Sequence, residues 1–250
     1  MSAVQNVPGQ HETATATSAP SLLRILTIAT VIAVAFGVYM ALGYVGPDRD
    51  QGDIQRIFYI HMPSFFGAFV AFTATVIGGV QYLRTRNTRW DTLALAGAEV
   101  GLAFSLVNVV TGSIWARPIW NTWWTWDPRL TSAAIMCLTY AAYLMLRSGI
   151  ENPERRRRFA SVYGILAITT VILTLVIIRI RPDTIHPAVI GSSPQSAEGT
   201  FDATQGVVTA LMVNLPIWGL LLPVTLMWHR IRLQNRVDQI EAAKMDILKG

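Results

Sequence analysis

The sequence predicts an all-α, polytopic integral membrane protein with six transmembrane helices and both termini in the cytoplasm. Of its 250 residues, 52% are hydrophobic and only 14% are charged, a composition outside the usual range of soluble domains. An apolar run of at least about 18 residues can cross the hydrocarbon core of a bilayer. Six runs meet this criterion, and they lie at residues 24–45, 62–83, 92–114, 130–147, 159–179 and 204–228.

The residues between and within these runs support the division into helices. Helix-ending sequences separate several of them, namely Gly46-Pro47, Arg86-Asn87, Glu151-Asn152-Pro153 and Arg181-Pro182-Asp183. In the third run, Gly97 and Gly101 stand four residues apart, which predicts close packing on another helix of the chain or, alternatively, a dimer face. Glu99 between them predicts an ion pair within the bundle or a role in proton or ligand traffic. Pro216 and Pro223 predict bends in the sixth run.

The basic residues indicate which loops face the cytoplasm. Fourteen of the 20 Lys and Arg residues lie at the termini or in the loops that share their side of the membrane, which places both termini in the cytoplasm. Residues 1–21 are polar and are predicted to be a disordered cytoplasmic tail rather than a cleaved signal. The first run is then an uncleaved anchor. Residues 22–230 form the predicted six-helix membrane domain, and residues 231–250 form a cytoplasmic tail.

Several functions are excluded by what the sequence lacks. Cys137 is the one cysteine and lies in the fourth run, so no intrachain disulfide and no CxxCH haem-attachment motif exists. The chain also has no Gly-rich loop ending in GKS or GKT, so it does not hydrolyse ATP by a P-loop mechanism. Its net charge of +5 is explained by the cytoplasmic loops, and no nucleic-acid partner is expected.

Five of the eight tryptophans fall in one predicted outer segment, at residues 115–131 between the third and fourth runs. They are Trp115, Trp120, Trp123, Trp124 and Trp126. Tryptophan combines a large rigid surface with one N–H donor. This segment therefore predicts either an interfacial anchor or a platform for a planar apolar ligand. If residues 120–127 are helical, Trp120, Trp123, Trp124 and Asp127 share one face.

Two of the four histidines are predicted to lie on the same outer face as the tryptophans. His61 begins the second run and His186 lies between the fifth and sixth, whereas His11 and His229 lie on the cytoplasmic side. Each outer histidine alone is explained as an interfacial polar residue. Together, on either side of an aromatic platform, they fit the two axial ligands of a haem iron. A lone metal ion would explain the histidines but not the tryptophans.

Charged residues of the outer loops are candidates for a supporting role. Arg56, Arg117, Arg129 and Arg181 lie on the histidines' side and are candidate partners of the haem propionates. The alternative is that each extends to the lipid headgroups. Asp127 directly precedes Pro128 and the fourth run, where it would also serve as a helix cap.

The tryptophan segment resembles the WWD-domain haem-handling family of cytochrome c maturation, and within it the cytochrome c maturation protein C branch. The family signature WGxxWxWDxRLT is matched by Trp120, Trp124, Trp126, Asp127, Arg129, Leu130 and Thr131. Asn121 stands where the signature has glycine, and Pro128 occupies its variable position. The resemblance covers all six runs and leaves only the tails.

The resemblance implies a haem carrier rather than an enzyme. In that family His61 and His186 would be the axial ligands of a transiently held, non-covalent haem b. The tryptophans and Asp127 would form the platform that presents it to a periplasmic haem chaperone. The implied location is the bacterial inner membrane, with the haem site on the periplasmic side. The implied partners are the ATPase and membrane subunits of an ABC transporter and a small single-span subunit.

Two alternatives stay open at this point. One is a haem-to-apocytochrome synthetase of the same family, a lyase that needs extra spans, another histidine pair and large outer domains. The other is a non-haem transporter subunit whose tryptophans only anchor it in the membrane. A colourless protein purified after expression with ample haem would favour the transporter subunit.

Overall fold

The structure is a computed structural model that describes residues 19–188, 192–200 and 203–249. Within these residues all regular secondary structure is helical, and six segments are long and apolar enough to cross a membrane. They are Ser21–Tyr44, Asp53–Thr85, Thr88–Trp120, Pro128–Gly149, Pro153–Ile180 and Gln205–Leu248. The predicted fold class is confirmed. The cytoplasmic placement of the termini and the domain limits stay predictions, and residues 1–18 of the predicted tail lie outside the described residues.

The described part of the chain forms seven α-helices. They are α1 (Ser21–Tyr39), α2 (Phe58–Thr85), α3 (Thr88–Trp120), α4 (Pro128–Gly149), α5 (Pro153–Ile180), α6 (Gln205–Pro216) and α7 (Leu222–Lys249). A 3-10 helix, Asp53–Ile57, leads into α2, and a π-helical turn, Met40–Tyr44, extends α1. A second π-helical turn, Ile217–Leu221, follows Pro216 and joins α6 to α7. Pro216 thus stands where α-helical geometry changes to a π-helical turn, since proline cannot donate an intrahelical hydrogen bond. The bends expected at Pro216 and Pro223 stay predictions.

The helix starts have local causes in the sequence. Asn87 and Asn152 cap α3 and α5 by accepting backbone N–H groups of Arg89 and Arg155, at 3.1 and 2.9 Å. Such side chains satisfy donors that the first helical turn leaves free. Both α4 and α5 have proline in the first turn, where its missing N–H has no cost. These caps explain why the helices start where the loops end.

The two small residues of α3 bring it close to α2. A Cβ atom at Gly97 would lie only 2.5 Å from the backbone oxygen of Ala71, and one at Gly101 would overlap the ring of Phe72. The predicted close packing is therefore confirmed within the chain, where α2 and α3 form the most extensive helix–helix contact. Phe72 in turn stacks on Tyr140 of α4.

Ion pairs link helices at the end of the bundle opposite to His61. Arg147 of α4 donates to both oxygens of Asp91 of α3, at 2.6 and 2.8 Å. Glu99 accepts hydrogen bonds from Arg230 of α7, so the predicted intrabundle partner of Glu99 is found. Charges placed among apolar helices need such partners, because an unpaired charge there is costly.

Candidate functional site

A cavity of about 710 Å³ lies at the end of the bundle where α2, α4 and α6 begin and where α3 and α5 end. We call this the histidine end. His61 and His186 line the cavity together with Trp115, Trp120, Trp124 and Arg129. The remaining lining is largely apolar, and its volume falls in the usual range of small-molecule and cofactor sites. The structure thus brings residues that are distant in the sequence to one site.

His61 is held rigidly on α2 by contacts to α3. Its Nδ1 atom lies 2.9 Å from the backbone oxygen of Asn108 and 3.2 Å from the hydroxyl of Thr111. The Asn108 side chain donates back to the backbone oxygen of His61 at 2.7 Å. A carbonyl can only accept, so Nδ1 carries the proton and Nε2 keeps a free lone pair. Gly112 makes room for the ring, because a Cβ there would lie 2.9 Å from Cε1.

His186 lies on the connection between α5 and α6 and is held by that loop. Its Nδ1 atom lies 2.7 Å from the backbone oxygen of Pro187, so this imidazole also offers Nε2. Burial and, to a smaller extent, the charge of Arg129 lower the pKa of His186 to about 4, although the Pro187 hydrogen bond opposes the shift. His186 is therefore neutral near pH 7, as a metal ligand must be.

The two imidazole rings lie at a distance from each other that suits one metal ion between them. Their ring centroids are 6.4 Å apart and the ring planes differ by 34°. A metal–nitrogen bond of about 2.0–2.1 Å and a ring radius of about 1.1 Å, applied on both sides, give a separation of about 6.3 Å. Hydrogen bonding of each Nδ1 to a backbone carbonyl is the usual support of a metal-ligating histidine.

The rest of a metal's coordination shell would have to come with the ligand. The described residues contain no group of three or more His, Cys, Asp or Glu side chains placed to hold a metal ion. A porphyrin brings four nitrogens of its own and leaves two axial positions. The site therefore fits an iron porphyrin better than a free metal ion.

The structure divides the tryptophan segment into two groups. Trp115, Trp120 and Trp124 line the cavity, whereas Trp123 and Trp126 are 58% and 78% exposed. The single helical face considered for residues 120–127 is wrong, because α3 ends at Trp120 and the next residue has left-handed backbone geometry. Asn tolerates that conformation better than most residues, so position 121 suits either the glycine of the signature or Asn.

Asp127 lies beside the cavity and contacts two other elements. It caps α4 by accepting the backbone N–H of Leu130 at 2.9 Å, which confirms the predicted cap. Its second oxygen accepts the hydroxyl of Thr184 at 2.5 Å. Reasoning from the sequence missed this second contact, because it joins residues 57 positions apart.

The four candidate arginines are separated by the fold. Arg129 lines the cavity, where its guanidinium lies over the ring of Phe65 and donates to the backbone oxygen of Thr174. The other three are not part of the cavity lining, and each has a nearby partner. Arg56 pairs with Asp53, Arg117 bonds Asn121, and Arg181 pairs with Asp183. The last pairing holds the pKa of the Asp183 carboxyl below its ordinary value.

One basic residue of the cavity was not among those candidates. Arg179, at the end of α5, lines the cavity and also donates to the backbone oxygen of Ser192 at 2.7 Å. Its position at the outer end of an apolar run, two residues before Arg181, was the available signal. Whether Arg179 or Arg181 reaches the cavity depends on the residue at which α5 ends.

The fold and this site define a class of protein, namely a polytopic α-helical membrane protein with a bis-histidine cavity beside a tryptophan-rich loop. Residues 9–243 match the family described as heme exporter protein C. The chain belongs to that family, which confirms the branch indicated by the tryptophan signature.

Curated relatives carry names that agree with this assignment. Heme exporter protein C of Bradyrhizobium diazoefficiens is 36% identical over 137 residues, which are 55% of this chain and 52% of that protein. The protein of the same name from Escherichia coli K12 is 33% identical over 143 residues, 57% of this chain and 58% of that protein. A ccmC-like mitochondrial protein of Arabidopsis thaliana, named for cytochrome c biosynthesis, is 35% identical over 124 residues, with 50% and 48% coverage. The chain thus spans about half the length of the curated relatives it matches.

Proposed function

We propose that this protein binds haem in the cavity between His61 and His186 and presents it to a periplasmic haem chaperone during maturation of c-type cytochromes. In this role it is a carrier, and haem is its cargo rather than a resident cofactor. The haem is haem b, held transiently and without covalent bonds. Membership of the heme exporter protein C family supports a role in haem handling.

The observation that carries the proposal is the pair of neighbouring imidazoles, each with its Nδ1 atom bound to a backbone carbonyl. That arrangement leaves two Nε2 lone pairs available and supplies two protein ligands, which is the number a six-coordinate haem iron requires. The aromatic lining offers flat apolar contact to a porphyrin ring. Arg129 places a cation in the same cavity, where it is suited to pair with a propionate.

The exposed tryptophans suit a different task. Trp123 and Trp126 lie outside the cavity, on the segment that carries Trp124 inside it. Exposed tryptophans are typical of protein interfaces. We assign the outward pair to contact with the chaperone and the inward tryptophans to contact with the porphyrin.

We further propose that the protein lies in a bacterial inner membrane and works with an ABC transporter pair and a small single-span subunit. The family name supports an export complex. The chain's lack of a P-loop sequence means that a partner would supply any ATP hydrolysis. The excess of basic residues on the opposite side supports a periplasmic position of the histidine end.

Visible absorption spectra of the purified protein test the haem site directly. Wild-type protein made with ample haem should show a six-coordinate, low-spin spectrum. His61→Ala and His186→Ala should each give weaker, five-coordinate binding that added imidazole restores. His229→Ala is the matched control, because His229 contacts Thr27 on another part of the bundle. A colourless wild-type protein, or two unaltered single variants, would contradict the proposal.

The orientation is tested by reporter fusions. Fusions after Arg86 and after Arg158 should report the cytoplasm, and fusions near Gly52 and Asn121 should report the periplasm. A periplasmic signal at Arg158 would place the histidines on the wrong side for a periplasmic chaperone and would reject the presenting role.

A further inference from the structure

A buried hydroxyl group, that of Thr184, connects the loop that carries His186 to Asp127 of the tryptophan segment. We infer that Thr184 is a positioning residue, which transmits the position of Asp127 to His186 and so holds this imidazole in its ligating geometry. The inference rests on the proposed haem site. It gives Asp127 a role in holding the iron ligand besides any role in presenting haem.

The contacts form a continuous chain. The hydroxyl of Thr184 donates to Asp127 at 2.5 Å, and the same oxygen accepts the backbone N–H of His186 at 3.1 Å. Thr184 is fully buried, so water does not compete for these bonds. A hydrogen bond to a carboxylate is stronger than one between neutral groups. The chain therefore fixes the backbone of His186 relative to the first turn of α4.

The two histidines differ in how much they need such support. His61 belongs to a long helix, and Asn108 of α3 fixes both its ring and its backbone carbonyl. His186 belongs to an irregular loop, and its ring nitrogen bonds the next residue of that same loop. That local bond sets the ring relative to the loop but not the loop relative to the bundle.

Thr184 bonds this part of the loop to Asp127 at the start of α4. Glu198, which donates to Ile185 and accepts from Trp120, adds a second connection to the bundle.

The chemistry of the link restricts position 184. The side chain must donate to Asp127 and accept from His186 with one atom, which a hydroxyl does and a methyl group does not. Serine meets this requirement. Valine has nearly the shape of threonine but leaves one carboxylate oxygen of Asp127 and the N–H of His186 without these partners.

The consequence concerns the tryptophan segment. Asp127 stands between the loop that carries Trp123 and Trp126 and the first turn of α4. Movement of that loop therefore reaches the His186 ligand through Thr184. A partner that displaces the exposed tryptophans would weaken one of the two iron ligands, and this provides a physical route from chaperone contact to haem release.

The test compares Thr184→Val, Thr184→Ser and the control Thr131→Val, all in the full-length protein. Thr131 is chosen because its buried hydroxyl has no hydrogen-bond partner among the described residues. Thr184→Val should convert much of the spectrum to a five-coordinate form that imidazole restores. Its haem affinity should fall about 10–100-fold, as for other residues that support metal-ligating histidines. Thr184→Ser and Thr131→Val should keep the low-spin spectrum.

A second readout uses the protein without haem. Carbethoxylation of His186, followed by mass spectrometry, should be faster in Thr184→Val than in wild type, with His61 unchanged as the internal reference. An unaltered low-spin spectrum and unaltered His186 reactivity in Thr184→Val would overturn the inference. The inference would also be overturned if Thr184→Ser lost as much thermal stability and as much haem as Thr184→Val. That result would indicate that Thr184 acts through packing and not through its hydroxyl. A wild-type protein without a haem spectrum would instead reject the proposed function itself.

Discussion

The histidine end of the bundle and the opposite end use the same pair of helices, α2 and α3, in different ways. Below the site, glycines on α3 let backbone approach backbone, as at Gly97 and Ala71. At the histidine end, Gly112 of the same helix leaves space that the His61 ring occupies. The absence of a Cβ atom thus serves two purposes on one helix. At Gly97 it allows close packing of the two helices, and at Gly112 it allows the position of the His61 ring. Changes at the two levels should therefore have separable effects.

The largest effect is expected for Gly97→Ala. The added Cβ would lie 2.5 Å from the Ala71 backbone oxygen, so α2 and α3 must move apart, and overpacking of this kind costs about 1–3 kcal/mol or more. Thermal unfolding in detergent should show a clear loss of stability, with haem content falling in parallel. Gly149→Ala is the control, because nothing lies near its added Cβ. If Gly97→Ala and Gly149→Ala were equally stable, the close packing at Gly97 would not be needed for stability, and the contrast with Gly112 would be lost.

Gly112→Ala should instead affect the ligand geometry. Its Cβ would lie 2.9 Å from Cε1 of His61, and the imidazole can shift where backbone could not. We expect haem affinity to fall by about tenfold, the lower end of the range for residues supporting a ligating histidine, with little change in thermal stability. Haem titration and unfolding of the same preparation measure both quantities. If Gly112→Ala lost as much stability as Gly97→Ala, the effects on helix packing and on ligand geometry would not be separable.

The tryptophan segment offers a more specific comparison, because it separates haem binding from haem delivery. Trp124→Ala removes a cavity wall and should weaken haem binding by about 1–3 kcal/mol, with the stacking of nucleic-acid bases on aromatic side chains as a scale. Trp126→Ala, at a position that is 78% exposed, should keep haem affinity and reduce loading of a co-expressed chaperone. Haem content and covalent haem on the chaperone are the two measurements. Normal loading by Trp126→Ala would assign that residue to membrane anchoring.

The smallest effect is expected for pH. The folded pKa of His186 is about 4, below the ordinary value of about 6.5, so the imidazole stays neutral and able to bind iron well below pH 7. Haem affinity should change little between pH 8 and about pH 5 and should fall as the pH approaches 4. Between about pH 6.5 and pH 4 the unfolded chain binds a proton at His186 and the folded protein does not. The free energy of unfolding therefore decreases as the pH falls through this range. Haem titration across this range measures the affinity, and a midpoint near 6.5 would contradict the burial of His186.

Much of the architecture follows from the sequence, because the information is local. Six apolar runs of sufficient length are enough to predict the membrane-spanning helices. The cap at Asp127 followed from its place before Pro128. His61 and His186 were placed on one side of the membrane by counting spans, and the structure brings their rings within 6.4 Å.

The remaining features depend on contacts between distant parts of the chain. The end of α3 at Trp120 decides which tryptophans point into the cavity, and a periodic pattern cannot locate that end. Thr184 has an ordinary loop sequence around it, and its importance arises only where that loop meets Asp127. Among the arginines, Arg179 and Arg129 line the cavity whereas Arg181 pairs with its neighbour Asp183, a choice made by the loop geometry.

Two imidazoles lie close together, and the described residues hold no group of three or more metal-binding side chains. This has a consequence for selectivity. Under the proposed function, the site distinguishes porphyrins by how many axial bonds their central atom can form. An iron porphyrin can bond both histidines, a zinc porphyrin favours one axial ligand, and a metal-free porphyrin can bond neither. Affinity should therefore decrease in that order, although all three rings offer the tryptophans the same flat surface. The shape of the cavity would thus select for porphyrins, and the number of axial bonds to the central atom would set how tightly each one binds.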